Sequence, residues 1–172
     1  MVKIPGLIVL LIATVYDYRE YRIPNALILV GYGVTILSIV LCSGVSGVLP
    51  AIVRALIPIG LFYLLFFIRA IGAGDLKLLS LAALACSTEE LFDLVVFSFV
   101  IGAAISAVRL LTNGQFIVRI SSFIQYIQQC IWEGRVKPYH TFEDTASFLH
   151  FSLCILLAYC AIFYREVFVS RF

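Results

Sequence analysis

Apolar residues fall into six blocks along the chain, at 4–16, 25–42, 49–71, 75–87, 91–112 and 146–164, separated by gaps that carry charged and turn-forming residues. Each block predicts a membrane-spanning helix, because a bilayer core takes about 20 apolar residues to cross and leaves the backbone no partner outside its own helix. Four blocks are long enough to span outright. The first and fourth stop short at an acid, and each must draw further turns from around it: Tyr16 to Tyr21 in one case, Ile71 to Asp75 in the other. The first span then runs over about 4–21, and Asp17 and Asp75 are expected at the membrane boundary or slightly within it. A signal peptide would also open on Lys3 and an apolar run. No small-residue cleavage site follows this one, which ends in Tyr16-Asp17-Tyr18-Arg19 and is read as a span.

The one long polar connection, 113–145, carries Phe116, Ile120, Phe123, Ile127 and Ile131 at helical spacing, with Arg119, Ser122 and Gln129 between them. It predicts an amphipathic helix on the cytoplasmic leaflet, within an interfacial segment 113–140, whose role is to cover the bundle or, as the second reading, to contact a substrate. The expected architecture is an all-α integral membrane protein of one domain, 1–172, with six transmembrane helices plus that cytoplasmic helix.

Composition narrows the class. The chain is 63% apolar and only 13% Asp, Glu, Lys and Arg, too little charge to coat a soluble fold of this size or keep a disordered one in solution. A net charge of +2, with basic residues scattered singly, argues against a nucleic-acid partner. The cysteines Cys42, Cys86, Cys130, Cys154 and Cys160 contain no C-x-x-C pair and mostly lie in apolar blocks, so neither a zinc site nor a disulfide framework is expected. The positions of the basic residues set orientation. One set of helix ends and loops holds Arg19, Arg22, Arg69, Lys77, Arg109, Arg119, Arg135 and Lys137; the other holds Lys3, Arg54, Arg165 and Arg171, with an acidic loop of Glu89, Glu90 and Asp93. The first set is expected in the cytoplasm. Both termini then face outward, and Asp17 and Asp75 share the cytoplasmic side.

Carboxylates beside membrane spans are costly and point to function. Two that meet repel and desolvate each other, so one keeps a proton while the other stays ionised, which supplies an acid and a base around one water. The base takes a proton from water as it attacks a peptide carbonyl; the acid hydrogen-bonds the carbonyl oxygen and helps protonate the leaving nitrogen. This chemistry needs no metal, no other cofactor and no covalent intermediate. His140 and His150 form no recognisable nucleophile arrangement and are read as satisfied interfacial histidines, and no H-x-x-x-H or H-E-x-x-H suggests a metal. A transporter or assembly factor would need acids near the bilayer middle or paired broken helices, whereas these acids lie at one face.

Around the acids the chain reads Asp17-Tyr18-Arg19-Glu20-Tyr21-Arg22-Ile23-Pro24-Asn25 and Gly72-Ala73-Gly74-Asp75-Leu76-Lys77-Leu78. Pro24 suits a first helical turn, where no amide donor is needed. Gly72 and Gly74 are expected to free the backbone for unusual dihedrals and to let another chain approach. The pair of motifs, Asp-x5-Ile-Pro-Asn closing the first span and Gly-x-Gly-Asp-x-Lys-Leu opening the fourth, resembles the type IV prepilin peptidases. The likeness is strongest over residues 13–31 and 69–85. Presenilin-type and signal-peptide-peptidase-type proteases share Tyr-Asp and Gly-x-Gly-Asp, but their Pro-Ala-Leu is absent here.

The resemblance implies a membrane aspartic endopeptidase that removes the short basic leader of pilin-like precursors at the cytoplasmic face of the inner membrane. It makes Asp17 and Asp75 the catalytic pair, Gly72 and Gly74 shapers of the loop, and Pro24 and Asn25 the turn beside Asp17. Lys77 also matches, but two residues along a helix is about 200°, which points it away from Asp75 and suits an anchor for lipid phosphate. The lack of a C-x-x-C pair and the early first span suggest the short, peptidase-only form found in tight-adherence pilus systems and among archaeal preflagellin peptidases. The last span opens His150-Phe151-Ser152-Leu153, without the Pro and Gly of larger relatives, and no role is assigned to it.

Overall fold

The computed structural model describes residues 2–20, 22–67, 71–112, 116–133 and 150–169. All seven described α-helices run in chain order: α1 Lys3–Glu20, α2 Asn25–Ser43, α3 Val48–Phe67, α4 Ala73–Leu84, α5 Thr88–Thr112, α6 Phe116–Glu133 and α7 Phe151–Val169. A single 3-10 turn, Val45–Gly47, joins α2 to α3 behind Gly44, whose φ of 73° is the left-handed conformation that favours glycine. His140, Arg69, Arg135, Lys137 and Arg171 lie outside the described residues, as do the side chains of Phe116, Arg119, Ile120, Phe123 and Cys130.

Among the described residues, four helices are long and apolar enough to cross a membrane: Asn25–Ser43, Val45–Phe67, Thr88–Arg109 and Phe151–Phe168. Their outward faces carry the exposed Leu29, Leu37, Leu41, Leu61, Leu64 and Phe67, an apolar exterior suited to lipid rather than water. α1 continues past Asp17 to Glu20, and its 18 residues include Lys3, Asp17, Arg19 and Glu20.

The fourth block departs from the expected span. α4 begins only at Ala73 and ends at Leu84, 12 residues, or about 18 Å against a core of about 30 Å. Its apolar character has another cause: every residue from Leu78 to Leu84 is buried by protein. α4 is the central helix, packed by α1, α2, α3, α5 and α7. Close approach needs small residues, and Gly31 of α2 supplies one; a Cβ there would meet Val9 at 2.7 Å and Leu81 at 2.8 Å. α2, α3 and α4 are also tied by a polar relay in which Tyr32 donates to Ser80 at 2.7 Å and Ser80 donates to the Ala55 carbonyl at 2.5 Å. That carbonyl lies in the turn that Pro58 interrupts by its missing amide.

One end of the bundle is closed by charge. Lys3 is buried and reaches Glu90 at 2.6 Å and Glu166 at 2.8 Å, while Arg165 meets Asp93 at 2.6 Å. Glu90 also accepts the Ser87 amide at 2.8 Å and donates its own amide to the Ser87 hydroxyl at 3.3 Å, a capping box that starts α5. Glu90 and Asp93, two of the three acids expected in the outward-facing loop, therefore join α1, α5 and α7.

Removing Lys3 strands two carboxylates, but only Glu90 is well shielded, with 18% of its side chain exposed against 50% for Glu166. Lys3→Met is expected to cost about 2 kcal/mol and Glu166→Gln less than about 1 kcal/mol. Thermal unfolding in detergent checks the order; equal shifts in Tm would contradict it.

Candidate active site

At the opposite end of the bundle meet the C-terminal turn of α1 and the N-terminal turns of α2, α4 and α7. Asp17 lies on the inner side of α1, its side chain 15% exposed. The Ser152 hydroxyl, one residue inside α7, donates to Asp17 Oδ2 at 2.5 Å. His150 Nδ1 lies 3.3 Å from the same oxygen, and its ring rests against Tyr18 with centroids 5.4 Å apart.

Asp75 approaches from α4. Gly72 precedes that helix in extended backbone, φ −70° and ψ 146°, its carbonyl accepts the Leu76 amide at 3.1 Å, and Asp75 is the third residue of the first turn. Helix N-termini favour negative charge, which suits a carboxylate there. Asp17 and Asp75 come within electrostatic reach of each other, so the two motif acids share one site.

The glycines serve this site differently from expectation. Neither Gly72 nor Gly74 takes a left-handed conformation; an extended φ is open to any residue. What Gly72 provides is room, since a Cβ on it would lie 3.1 Å from Asp75 Oδ2. A Cβ on Gly74 would meet only Ile23, at an ordinary 3.4 Å.

Pro24 stands one residue ahead of α2, with φ −61° and ψ 129°, and its carbonyl accepts the Leu27 amide at 3.1 Å. Asn25, the first helical residue, accepts a hydrogen bond from Lys77 Nζ at 2.9 Å. The Lys77 ammonium is thus engaged by the other motif, fastening the start of α2 to α4. Beside Tyr18 and His150 opens an apolar groove of about 300 Å³, lined also by Val15, Ile105 and Leu153, with Arg19 and Arg109 among its walls. Among the described residues, no group of three His, Cys, Asp or Glu side chains is placed to hold a metal ion.

Ser152 and His150 are the site residues that sequence reasoning missed. His150 is not simply an interfacial histidine: it touches the candidate site. The available signal was positional, since two polar residues open an apolar block at the same bundle end as Asp17.

The model of the type IV leader peptidase family matches residues 4–107, from α1 into α5, a stretch that contains both carboxylates, both glycines, Pro24, Asn25 and Lys77. No curated protein and no solved structure matches the chain.

Alanine at position 72 has to push the Asp75 carboxylate aside, whereas alanine at 74 adds a good helix former against Ile23. Gly72→Ala is expected to slow cleavage of a precursor peptide at least about tenfold by misplacing a reacting group. Gly74→Ala is expected to keep the wild-type rate and gain about 0.5–1 kcal/mol of stability. Initial rates and Tm for the two variants check this, and equal loss of activity would contradict it.

Proposed function

From the premise that the chain belongs to the type IV leader peptidase family, we propose that it is an aspartic endopeptidase whose reacting groups are Asp17 and Asp75. As a member of that family it is a peptidase, and its helices mark it as a membrane protein. The observation that carries the aspartic reading is the convergence of the two motif carboxylates from α1 and α4.

A water between them suffices for hydrolysis. One carboxylate removes a proton as the water oxygen bonds to the peptide carbonyl carbon. The other hydrogen-bonds the carbonyl oxygen as charge develops there, and collapse of the tetrahedral species then breaks the C–N bond as the nitrogen is protonated. Gly72 leaves space for the Asp75 carboxylate, and the Lys77–Asn25 bond sets the turn that carries Pro24. The substrate is a pilin-like precursor with a short basic leader. Its apolar segment fits the groove between α1, α5 and α7, whose lining is mostly hydrocarbon and which ends at His150 beside Asp17.

In the bilayer, α1 and the central α4 complete six membrane-embedded helices, and α6 lies on the cytoplasmic leaflet, where its open Ile124, Ile127, Ile131 and Trp132 enter lipid. Charge supports a cytoplasmic site in the inner membrane with both termini outside. Arg19, Arg22, Lys77 and Arg109 stand exposed at the Asp17 end, whereas Lys3 and Arg165 at the other end are neutralised by Glu90, Glu166 and Asp93.

Two measurements test this reading. Asp17→Asn and Asp75→Asn keep the side-chain shape but cannot exchange the proton, so each purified variant is expected to be folded and at least about 10²-fold slower on a precursor with a basic leader; full cleavage by either removes the mechanism. A cysteine at position 89, in a background lacking the native thiols, is expected to react with a membrane-impermeant reagent from outside intact cells. Labelling only from the cytoplasm would invert the topology.

A further inference from the structure

Four hydroxyls in the apolar helices satisfy themselves within their own helix. Thr14, Ser38, Ser98 and Thr112 each donate to the carbonyl four residues earlier in their own helix, at 2.6–3.0 Å. Ser152 does not. It is fully buried in the first turn of α7, and its hydroxyl crosses to another helix to reach Asp17 Oδ2. His150 Nδ1 approaches the same oxygen. We infer that Ser152, backed by His150, is a positioning residue that makes Asp17 the water-activating member of the pair, an inference that rests on the reading of Asp17 and Asp75 as the peptidase dyad.

The last torsion of an aspartate is soft and roughly two-fold, so an unheld carboxylate spreads its lone pairs over many directions. Two contacts on Oδ2 end that freedom and leave Oδ1 with no hydrogen-bond partner among the described residues. A general base must present a lone pair within about 2.6–3.2 Å of the proton it removes, and a carboxylate pinned by one oxygen presents the other in a fixed direction. Asp75 accepts no hydrogen bond from any described side chain and is placed only by its helix turn and the space at Gly72. The two acids are therefore held unequally. Asp17 Oδ1 takes the water proton while the water oxygen bonds to the carbonyl carbon; Asp75 hydrogen-bonds the carbonyl oxygen, and the C–N bond breaks as Asp17 passes that proton to the departing nitrogen.

The grip itself is anchored. Further along α7, the buried Tyr159 hydroxyl donates to the Lys3 carbonyl at 3.0 Å, so α7 is fastened to α1 near both ends of α1 and Ser152 is not free to swing. On its outer side the His150 ring packs on Tyr18, the residue after Asp17.

The test is steady-state cleavage of a purified precursor bearing a short basic leader ahead of an apolar segment, by the full chain in detergent. Ser152→Ala is expected to lower kcat at least about tenfold with KM within about twofold of wild type, because it misplaces a reacting group without touching substrate contacts. Ser152→Thr, which keeps the hydroxyl, is expected to restore most of kcat. His150→Phe keeps the ring on Tyr18 but removes the nitrogen, and is expected to lower kcat severalfold; should Ser152→Ala fail to fold, His150→Phe decides the matter by the same readout. Wild-type kcat in folded Ser152→Ala, or a raised KM with kcat unchanged, overturns the inference. Asp17→Ala is run in parallel: if it cleaves, the dyad reading itself fails, whereas an inactive Asp17→Ala beside a fully active Ser152→Ala removes only the role of Ser152.

Discussion

α4 has to be enclosed. It is too short to cross a bilayer and, Ser80 apart, apolar on every side from Leu78 to Leu84, so its stable position is inside a ring of longer helices. In lipid the gain from such enclosure is not the usual transfer out of water, because hydrocarbon already surrounds the competing states; close packing and interhelical hydrogen bonds must supply it. The structure has both. Gly31 lets α2 settle on α4, and Tyr32, Ser80 and the Ala55 carbonyl form a buried chain across three helices. Enclosure of α4 brings its N-terminal turn, and Asp75 with it, among the ends of α1, α2 and α7. The site follows from that placement.

The two ends of the bundle use charge in different ways. At the Lys3 end, opposite charges pair off: Lys3 with Glu90 and Glu166, Arg165 with Asp93. These bonds join the three helices α1, α5 and α7 and leave little net charge. At the Asp17 end, two carboxyl groups are brought together beside Ser152 and His150, with Arg19 and Arg109 in the wall of the adjoining groove. Such an arrangement is electrostatically costly and is typical of sites built for proton transfer. The ion-paired end holds α1 and α7 together, and the same two helices carry Asp17 and Ser152 to the other end.

Much of the site was legible along the chain. Asp17 and Asp75 stood out because acids are scarce in an apolar sequence and each bounds a block too short to span. Gly72, Gly74, Pro24, Asn25 and Lys77 were legible through the paired motifs, although their roles were not. Gly72 was expected to bend the backbone, yet it gives space to the Asp75 carboxylate, a distinction that depends on where a side chain three residues away folds back. Lys77 was expected in the headgroup region, and it bonds Asn25 because α2 and α4 are neighbours. The fourth block was read as a crossing because hydropathy reports only that a segment avoids water; burial by lipid and burial by protein leave the same mark.

What the sequence by itself determined is local and compositional: a helical membrane protein, the approximate helix limits, two acids at matching ends of antiparallel blocks, and motifs specific enough to point to a family. These follow from chain properties, namely hydropathy over about 20 residues, the charge of individual side chains and the spacing of glycine and proline. Only the tertiary structure decided that α4 is buried at the centre of the bundle, that Glu90 serves Lys3, and that Ser152 and His150 grip Asp17. Those outcomes depend on which helices become neighbours and how far each is rotated. Contacts such as Ser152 to Asp17, 135 residues apart, are selected by the packing of the whole bundle, which no window along the chain contains.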